Sequence, residues 1–558
     1  MSGYDALKLS NEEIVNKFPR PAQVLRMAIK DNAVNKDSVK TDKQQYRKTL
    51  QAYMQKNGMK PQQELFRQFI GQKILRAAYS NNQLQEVLTD FWFNHFNVSL
   101  SKNQTAQFVP NYERDVIRPN VLGKFEDLLL ATAKSPAMLL YLDNFSSAGE
   151  NAKMDPVTNK PMQAVRKKQL NANNKIKKPK KSPGLNENYA REVMELHTLG
   201  VDGGYTQQDV TQAARVLTGW TIFPMSEKGY GSAMKGLINR VGEDKLTERG
   251  FVHEGDFLFA VNRHDNKEKT VLGKIFPANG GYEEGVQLLK MLAHHPSTAK
   301  FISKKIAVRF VSDNPPQSLI DKMAKTFTEK NGDIKEVLIT MATSPEFWSK
   351  KIIREKTKSP FELAISAVRA LDVDIKQPYQ IFAWSDKMGQ KLYFYQAPTG
   401  FPDKGQYWIN TGALLNRMNF GLAIASQRIP GTKLDLLALN NRQEPESSTA
   451  ALKTYSKLIM PERNLDETVK RLTPMLNDPE LVKKVSDAAD KNVSPQTSMV
   501  NSEILMNDDM EEGVGKKPGK GKGLKKGNSG AMQTVTGNNT MLAQVVGIII
   551  GSPEFQRK

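Results

Sequence analysis

Residues 186–220 read NENYAREVMELHTLGVDGGYTQQDVTQAARVLTGW. At about 100° per residue, Glu187, Asn188, Arg191, Glu192 and Glu195 share one helix face about 140° wide. Tyr189, Ala190, Val193, Met194 and Leu196 fall on the other, with His197 in the middle of that apolar side. Asn186 is a good N-cap. Gly200 suits a left-handed helix end, and Asp202-Gly203-Gly204 makes a turn. Thr206-Gln207-Gln208-Asp209 then caps a second helix that Gly219 closes beside Trp220. The stretch therefore predicts an amphipathic helical hairpin, and it has two readings. Its acids are solvated, or they face a cleft where like charges raise one pKa and create an acid–base pair. Arg191 between the acids would temper their repulsion. His197 points away from Glu192 and Glu195, unlike the shared face of H-E-x-x-H. A metal would need His or Asp from another segment, and carboxylate-rich ligation favours Ca2+, Mg2+ or Mn2+ over Zn2+.

Outward from the hairpin, helix punctuation recurs. Ser359-Pro360-Phe361-Glu362 is a capping box with Pro at the first helical position. Ser344-Pro345-Glu346-Phe347 and Ser552-Pro553-Glu554-Phe555 predict similar starts, each after an apolar helical run, and Ser135-Pro136 is a looser version. The spacing is too irregular for a solenoid. Further helices are predicted over 61–78, 83–96, 284–293, 297–311, 317–329, 334–342, 412–426 and 465–472. Phe257–Val261 and Lys269–Gly273 flank Arg263-His264-Asp265-Asn266 and read as a hairpin. The expected fold is mainly α, a large multi-helix globular body with a small β-hairpin near 255–275. Its expected division is an N-terminal helical region (1–150), a basic insertion (151–183), a core carrying the hairpin (184–430) and a C-terminal region (431–558). From Gly431 to Thr540 the chain is more polar and irregular, with one convincing helix around Leu465–Leu472.

The 558 residues carry a net charge of +21, with 39% hydrophobic and 25% charged residues and no cysteine. Disulfides, thiolate metal sites and thiol nucleophiles are excluded. No apolar run approaches the ~20 residues of a membrane helix, and residues 1–20 contain no signal peptide. Residues 166–183 hold eight Lys or Arg and residues 513–529 six Lys, neither with an acid, so the two runs supply fourteen of the +21. Both read as solvated loops. They lack the interleaved aromatics of a base-stacking surface, so nucleic-acid binding rests on charge alone and ranks last.

Other segments offer partners for the acidic face. In the 83–96 helix, Trp92 and His95 lie on the apolar side, where a core histidine is the ordinary outcome. His264-Asp265 falls in a turn exposed by its composition. Asp143-Asn144 follows MLLYLDN.

These motifs together resemble the bacterial family called domain of unknown function 1800. They are FWFNHFNV, LLLATAKSPAMLLYLDN, the 184–220 stretch, RHDNKEKTVLG, HPSTAKFISKKIAVRFVSDNPP, SPEFW, KSPFELAISAVRAL and MGQKLYFYQAPTGFPDKGQYWINTGALLNRMNF, in order from about Pro61 to Phe555. The resemblance implies a mainly α-helical, usually exported protein. It also implies genetic pairing with the phosphatase- and sulfatase-like domain of unknown function 1501 family. Such proteins usually begin with a leader and another helical segment, so Met1 is expected to be an internal or truncated start. The resemblance carries no activity. It does match Trp92, Asn94, His95, Asp143, Asn144, Asn186, Glu187, Asn188, Arg191, Glu192, Glu195, Trp220, His264 and Asp265, and fixed residue types on a polar face bring the functional reading level with mere solvation.

Two functions follow as expectations. The first is an exported enzyme or ligand- or metal-binding protein. In it Glu192 and Glu195 are acid–base or cation-binding carboxylates, Arg191 orients an anionic group, and His95, His264 or Asp265 completes the site. Asp143, Asn144, Asn186, Glu187, Asn188, Trp92 and Trp220 would line the ligand. The second is a non-catalytic partner or assembly protein, acting with the phosphatase-like neighbour or a cell-surface polymer.

Overall fold

The computed structural model describes residues 3–34, 43–149, 184–225, 232–478 and 540–558, apart from isolated positions between 480 and 487. The basic runs at 166–183 and 513–529 lie outside them. The body is mainly α, and its largest hydrophobic cluster draws residues from Ala6 to Phe555. A satellite cluster joins helices Pro21–Lys30 and Lys43–Lys56 through Val24, Ala28, Tyr46 and Tyr53.

The predicted helices form at Gln62–Tyr79, Gln83–His95, Tyr282–Ala293, Pro296–Phe310, Gln317–Glu329, Ile334–Thr343, Thr411–Ala425 and Leu465–Leu476. The Ser359/Glu362 and Thr206/Asp209 capping boxes both close, each satisfying otherwise orphaned N–H groups. Ser135 caps Pro136–Tyr141.

Two expectations are corrected. Ser344-Pro345-Glu346-Phe347 and Ser552-Pro553-Glu554-Phe555 begin turns, not helices. Their glutamates are drawn elsewhere: Glu346 accepts from Ser318 and Lys322, and Glu554 from Arg471, so neither carboxylate closes a capping box. Between Gly431 and Thr540 the described residues also hold a second long helix, Ser448–Ile459, capped by Ser447.

The small β element appears near 255–275 with different partners. Phe257–Phe259 is the centre of a three-stranded antiparallel sheet between Trp220–Ile222 and Val252–Glu254. Lys269–Val271 pairs instead with Lys274–Phe276. Leu272 (φ 48°) and Gly273 (φ 77°) both sit left-handed in the connection, as a two-residue hairpin turn of primed type requires.

The C-terminal helix Met541–Gly551 is buried through Val545–Ile550 and crosses Thr411–Ala425 at glycines. A Cβ on Gly421 would lie 2.7 Å from the Gly547 carbonyl oxygen and 2.8 Å from the Gly551 nitrogen. Backbone cannot yield as a flexible side chain can. Gly421→Ala should therefore cost about 1–3 kcal/mol in urea unfolding. Gly236→Ala, in helix Ser232–Val241 with no atom near the new methyl, should stabilise by about 0.4–1 kcal/mol.

Candidate functional site

The stretch from Asn186 begins as an α-helix over Asn188–Glu192 and continues as a π-helix over Val193–Thr198. The wider turn shows in the bonds: Leu199 N–H reaches the Met194 carbonyl at 2.8 Å, and the Thr198 hydroxyl reaches the Val193 carbonyl at 2.6 Å. π-turns are rare and recur at functional sites. The two-faced pattern survives the change of helix type. Tyr189, Ala190, Val193, Met194 and His197 are buried, while Glu187, Arg191, Glu192 and Glu195 are half-exposed. Leu196 is the one apolar-face residue left half-buried.

The acids on the outer face differ in company. Glu187 accepts from Gln207 (2.9 Å) and Thr211 (2.7 Å) on the second helix and pairs with Arg191 at 3.4 Å. Arg191 also donates to Gln207, so it leans toward the hairpin partner. Glu195 accepts from the Tyr205 hydroxyl at 3.0 Å, and burial together with that carboxylate pushes the phenol up to about 12. Glu192 makes no hydrogen bond or ion pair to any described residue. Burial and then the Glu195 charge raise its pKa, against a smaller pull from Arg191. Its charge reaches Tyr141, whose hydroxyl is tied to the Gln396 carbonyl at 2.6 Å.

The asparagines of the motif hold one loop in place. Asn186 and Asn188 donate side-chain N–H groups to the Asp143 and Leu142 carbonyls, and the Asn186 carboxamide oxygen caps the Asn188 N–H at 2.9 Å. Asn144 donates to the Leu217 and Trp220 carbonyls. Ser147 accepts through its hydroxyl from the Asn186 N–H, and through its carbonyl from Gly219 and Arg263. Asp143 sits at φ 58°, where Asp is tolerated, and its carboxylate takes Lys102 at 2.7 Å. Lys102 also holds the Tyr141 carbonyl. Residues 142–149 thus take bonds from Lys102, Asn186, Asn188, Gly219 and Arg263.

The histidines do not reach the acidic face. His95 and His197 are buried on its far side, with His95 Nε2 3.1 Å from the His197 carbonyl and the rings 6.1 Å apart. Burial first, and the nearby Lys305 charge second, lower both pKa values, His197 to about 3, so both are neutral. The expectation of an exposed turn at His264 is overturned: His264 is fully buried, and Asp265 nearly so. His264 Nδ1 lies 2.9 Å from the Thr218 carbonyl, and its Nε2 meets the buried pair Lys269–Glu284, itself 2.5 Å apart. Asp265 is gripped by the Arg215 fork at 2.9 and 3.1 Å, which holds its carboxyl below the usual range against the cost of burial. Polar letters suggested exposure; each group has instead found an opposite charge or a carbonyl. Trp92 and Trp220 are core residues. Trp92 bonds the Val121 carbonyl, and Trp220 packs on Phe257 and Tyr282. Among the described residues no group of three or more His, Asp or Glu is placed to hold a metal ion.

A second charged region was not legible in the sequence. Lys73, almost fully buried, lies 3.0 Å from Asp90 and 3.3 Å from Glu113, and Glu113 accepts from the Tyr393 hydroxyl at 2.6 Å. Arg118 forks onto Glu86, while Arg309 joins Asp90 (3.5 Å) to Glu362 (3.0 Å). Lys73, Asp90, Arg309 and Glu362 line a cavity of about 40 Å³. Glu113 lies in a second π-helix, Tyr112–Ile117. The only signal was a lone charge inside apolar helices, as in QFIGQKILRAA and LTDFWF. Every charge here is matched by its opposite, so the network pins helices together.

This is a mainly α protein whose motif asparagines and glutamates gather on one loop and one partly π helix, with its motif histidines buried apart from them. The family model described as protein of unknown function (DUF1800) matches residues 11–557, and the chain belongs to that family. No curated protein and no solved structure matches it.

The His264 cluster has a direct test. Lys269→Met strands Glu284 in the core and should cost about 3–5 kcal/mol in urea unfolding. Adding Glu284→Gln should recover a large part of that loss; no recovery would mean the pair is not what Lys269 supports.

Proposed function

We propose that the protein acts through the outer face of the Asn188–Thr198 helix, as an enzyme or ligand-binding protein with Glu192 as its proton-transferring or ligand-accepting group. One observation supports this: of the motif carboxylates, Glu187, Glu195, Asp143 and Asp265 are all occupied, and Glu192 is not. A half-buried carboxylate without a partner is a standing cost to the fold. Burial and a like charge are also the two causes that bring an acid toward neutral operating pH. Glu195, held by Tyr205, would supply the fixed second charge. A cation at the pair would be Ca2+, Mg2+ or Mn2+, matched to oxygen ligands.

A second reading, a non-catalytic partner or assembly protein, is supported by the use of Asn144, Asn186 and Asn188 on backbone carbonyls. In that reading the motif shapes a docking surface, for an exported phosphatase- or sulfatase-like protein or a cell-surface polymer.

Glu192 binds its proton more tightly folded than unfolded. Its own contribution to stability is therefore full below the unfolded value near 4.5 and is lost as pH rises through the folded value. Glu192→Gln, which mimics the neutral form, should match the wild type in melting temperature below pH 4 and exceed it at pH 7. If the two melt together at every pH, the carboxylate is solvated and the docking reading prevails. Millimolar Mn2+ or Ca2+ raising the wild-type melting temperature but not that of Glu192→Gln would assign the pair to cation binding.

A further inference from the structure

The segment after the first Ser-Pro-Glu-Phe turn and the second such turn itself meet across one cleft. Each turn ends an apolar helix, Ile334–Thr343 or Met541–Gly551, and each is followed by basic residues, KKIIREK and QRK. Between them lies a cleft of about 440 Å³ lined by Lys350, Arg354, Arg463, Arg471 and Arg557. Three glutamates also line it, Glu462, Glu467 and Glu554, leaving cations in excess.

The acids are partly spent. Glu554 is taken by Arg471 at 2.6 Å, and Glu462 sits 3.5 Å from Arg354 on the open rim. Arg463 donates to the backbone carbonyls of Glu554 (2.7 Å) and Arg557 (3.4 Å), so it fixes the second turn while staying in the lining. Burial, and next the charge of Arg354, lower the Arg463 pKa; Glu554 pulls the other way and Arg557 adds to the fall, so four guanidinium groups share three carboxylates here. Arg557 and Lys350 are exposed, and their side chains make no hydrogen bond or ion pair to any described residue. Arg354 holds a left-handed backbone at φ 63°, a conformation rare for a long side chain and maintained only where surroundings impose it.

Crowded like charges lacking counter-charges are costly unless an anion joins them. Guanidinium forks match tetrahedral oxyanions by paired, charge-assisted hydrogen bonds. The volume exceeds that of a single ion. We infer that this cleft, built by residues 350–354, the second Ser-Pro-Glu-Phe turn with Arg557, and the start of helix Leu465–Leu476, binds a phosphate or sulfate group, either free or carried on a polymer.

Calorimetric titration of the full chain with inorganic phosphate, and separately with dextran sulfate, tests this. Both run at constant ionic strength against chloride, because screening weakens any charge contact. Arg354→Gln and Arg557→Gln should each weaken binding about tenfold, as loss of a hydrogen bond to a charged group implies. Lys304→Gln, the same charge change at an exposed position on helix Pro296–Phe310, should leave it unchanged. Unchanged melting temperatures in the arginine variants would exclude misfolding as the cause, and double substitution at Arg354 and Arg557 should abolish the signal. Binding of phosphate supports a free oxyanion, and binding of dextran sulfate alone supports a polymer-borne group. No binding of either, or equal weakening by Lys304→Gln, overturns the inference.

Discussion

Every feature of the motif region depends on one helix serving two opposed environments. From Asn188 to Thr198 it must bury Tyr189, Val193, Met194 and His197 against the core and hold Glu192 and Glu195 at the surface. A helix free to roll would lose one side or the other. Asn186 and Asn188 prevent rolling at its start, because their side chains are bonded to the Asp143 and Leu142 carbonyls. Thr198 closes its end onto the Val193 carbonyl. The π-turn between these anchors lets the segment finish in a buried Gly200 at φ 84°, against which the Phe301 ring packs.

The same loop, 142–149, carries the hairpin, the three-stranded sheet and the Arg263–Asp265 turn, so these parts should loosen together. The second charged region works differently. From Glu86 through Arg118, Glu113, Lys73, Asp90 and Arg309 to Glu362, paired charges tie helices distant in sequence. Such networks contribute little net stability, since desolvation offsets attraction. They do penalise any arrangement that separates the partners.

Periodicity and capping made the helical hairpin legible because both are local. The polar and apolar faces of 187–197 came from spacing alone, and Ser359/Glu362 and Thr206/Asp209 announced their own helix starts. What stayed hidden was whatever depended on distant partners. Composition placed His264-Asp265 in an exposed turn because it could not show Arg215, Lys269 and Glu284 arriving to compensate them. Phe257–Val261 and Lys269–Gly273 looked like mutual partners because adjacency was the only pairing cue available. The π-turn left no mark, since a helical wheel assumes the α-helical period throughout. The family is certain, and the candidate residues were all visible. Which of them had partners was not, and that decides between solvated, structural and chemical roles.

Glu192 is where the account is most exposed. Carbon-13 NMR of the side-chain carboxyl groups, with Glu192 assigned by its absence in Glu192→Gln, reads its proton affinity in the folded chain directly. The expected midpoint lies above 4.5, with the neighbouring Glu195 resonance responding in the same pH range. A midpoint at or below 4.5 would show a carboxylate in ordinary contact with water and would remove the basis for chemistry on this helix.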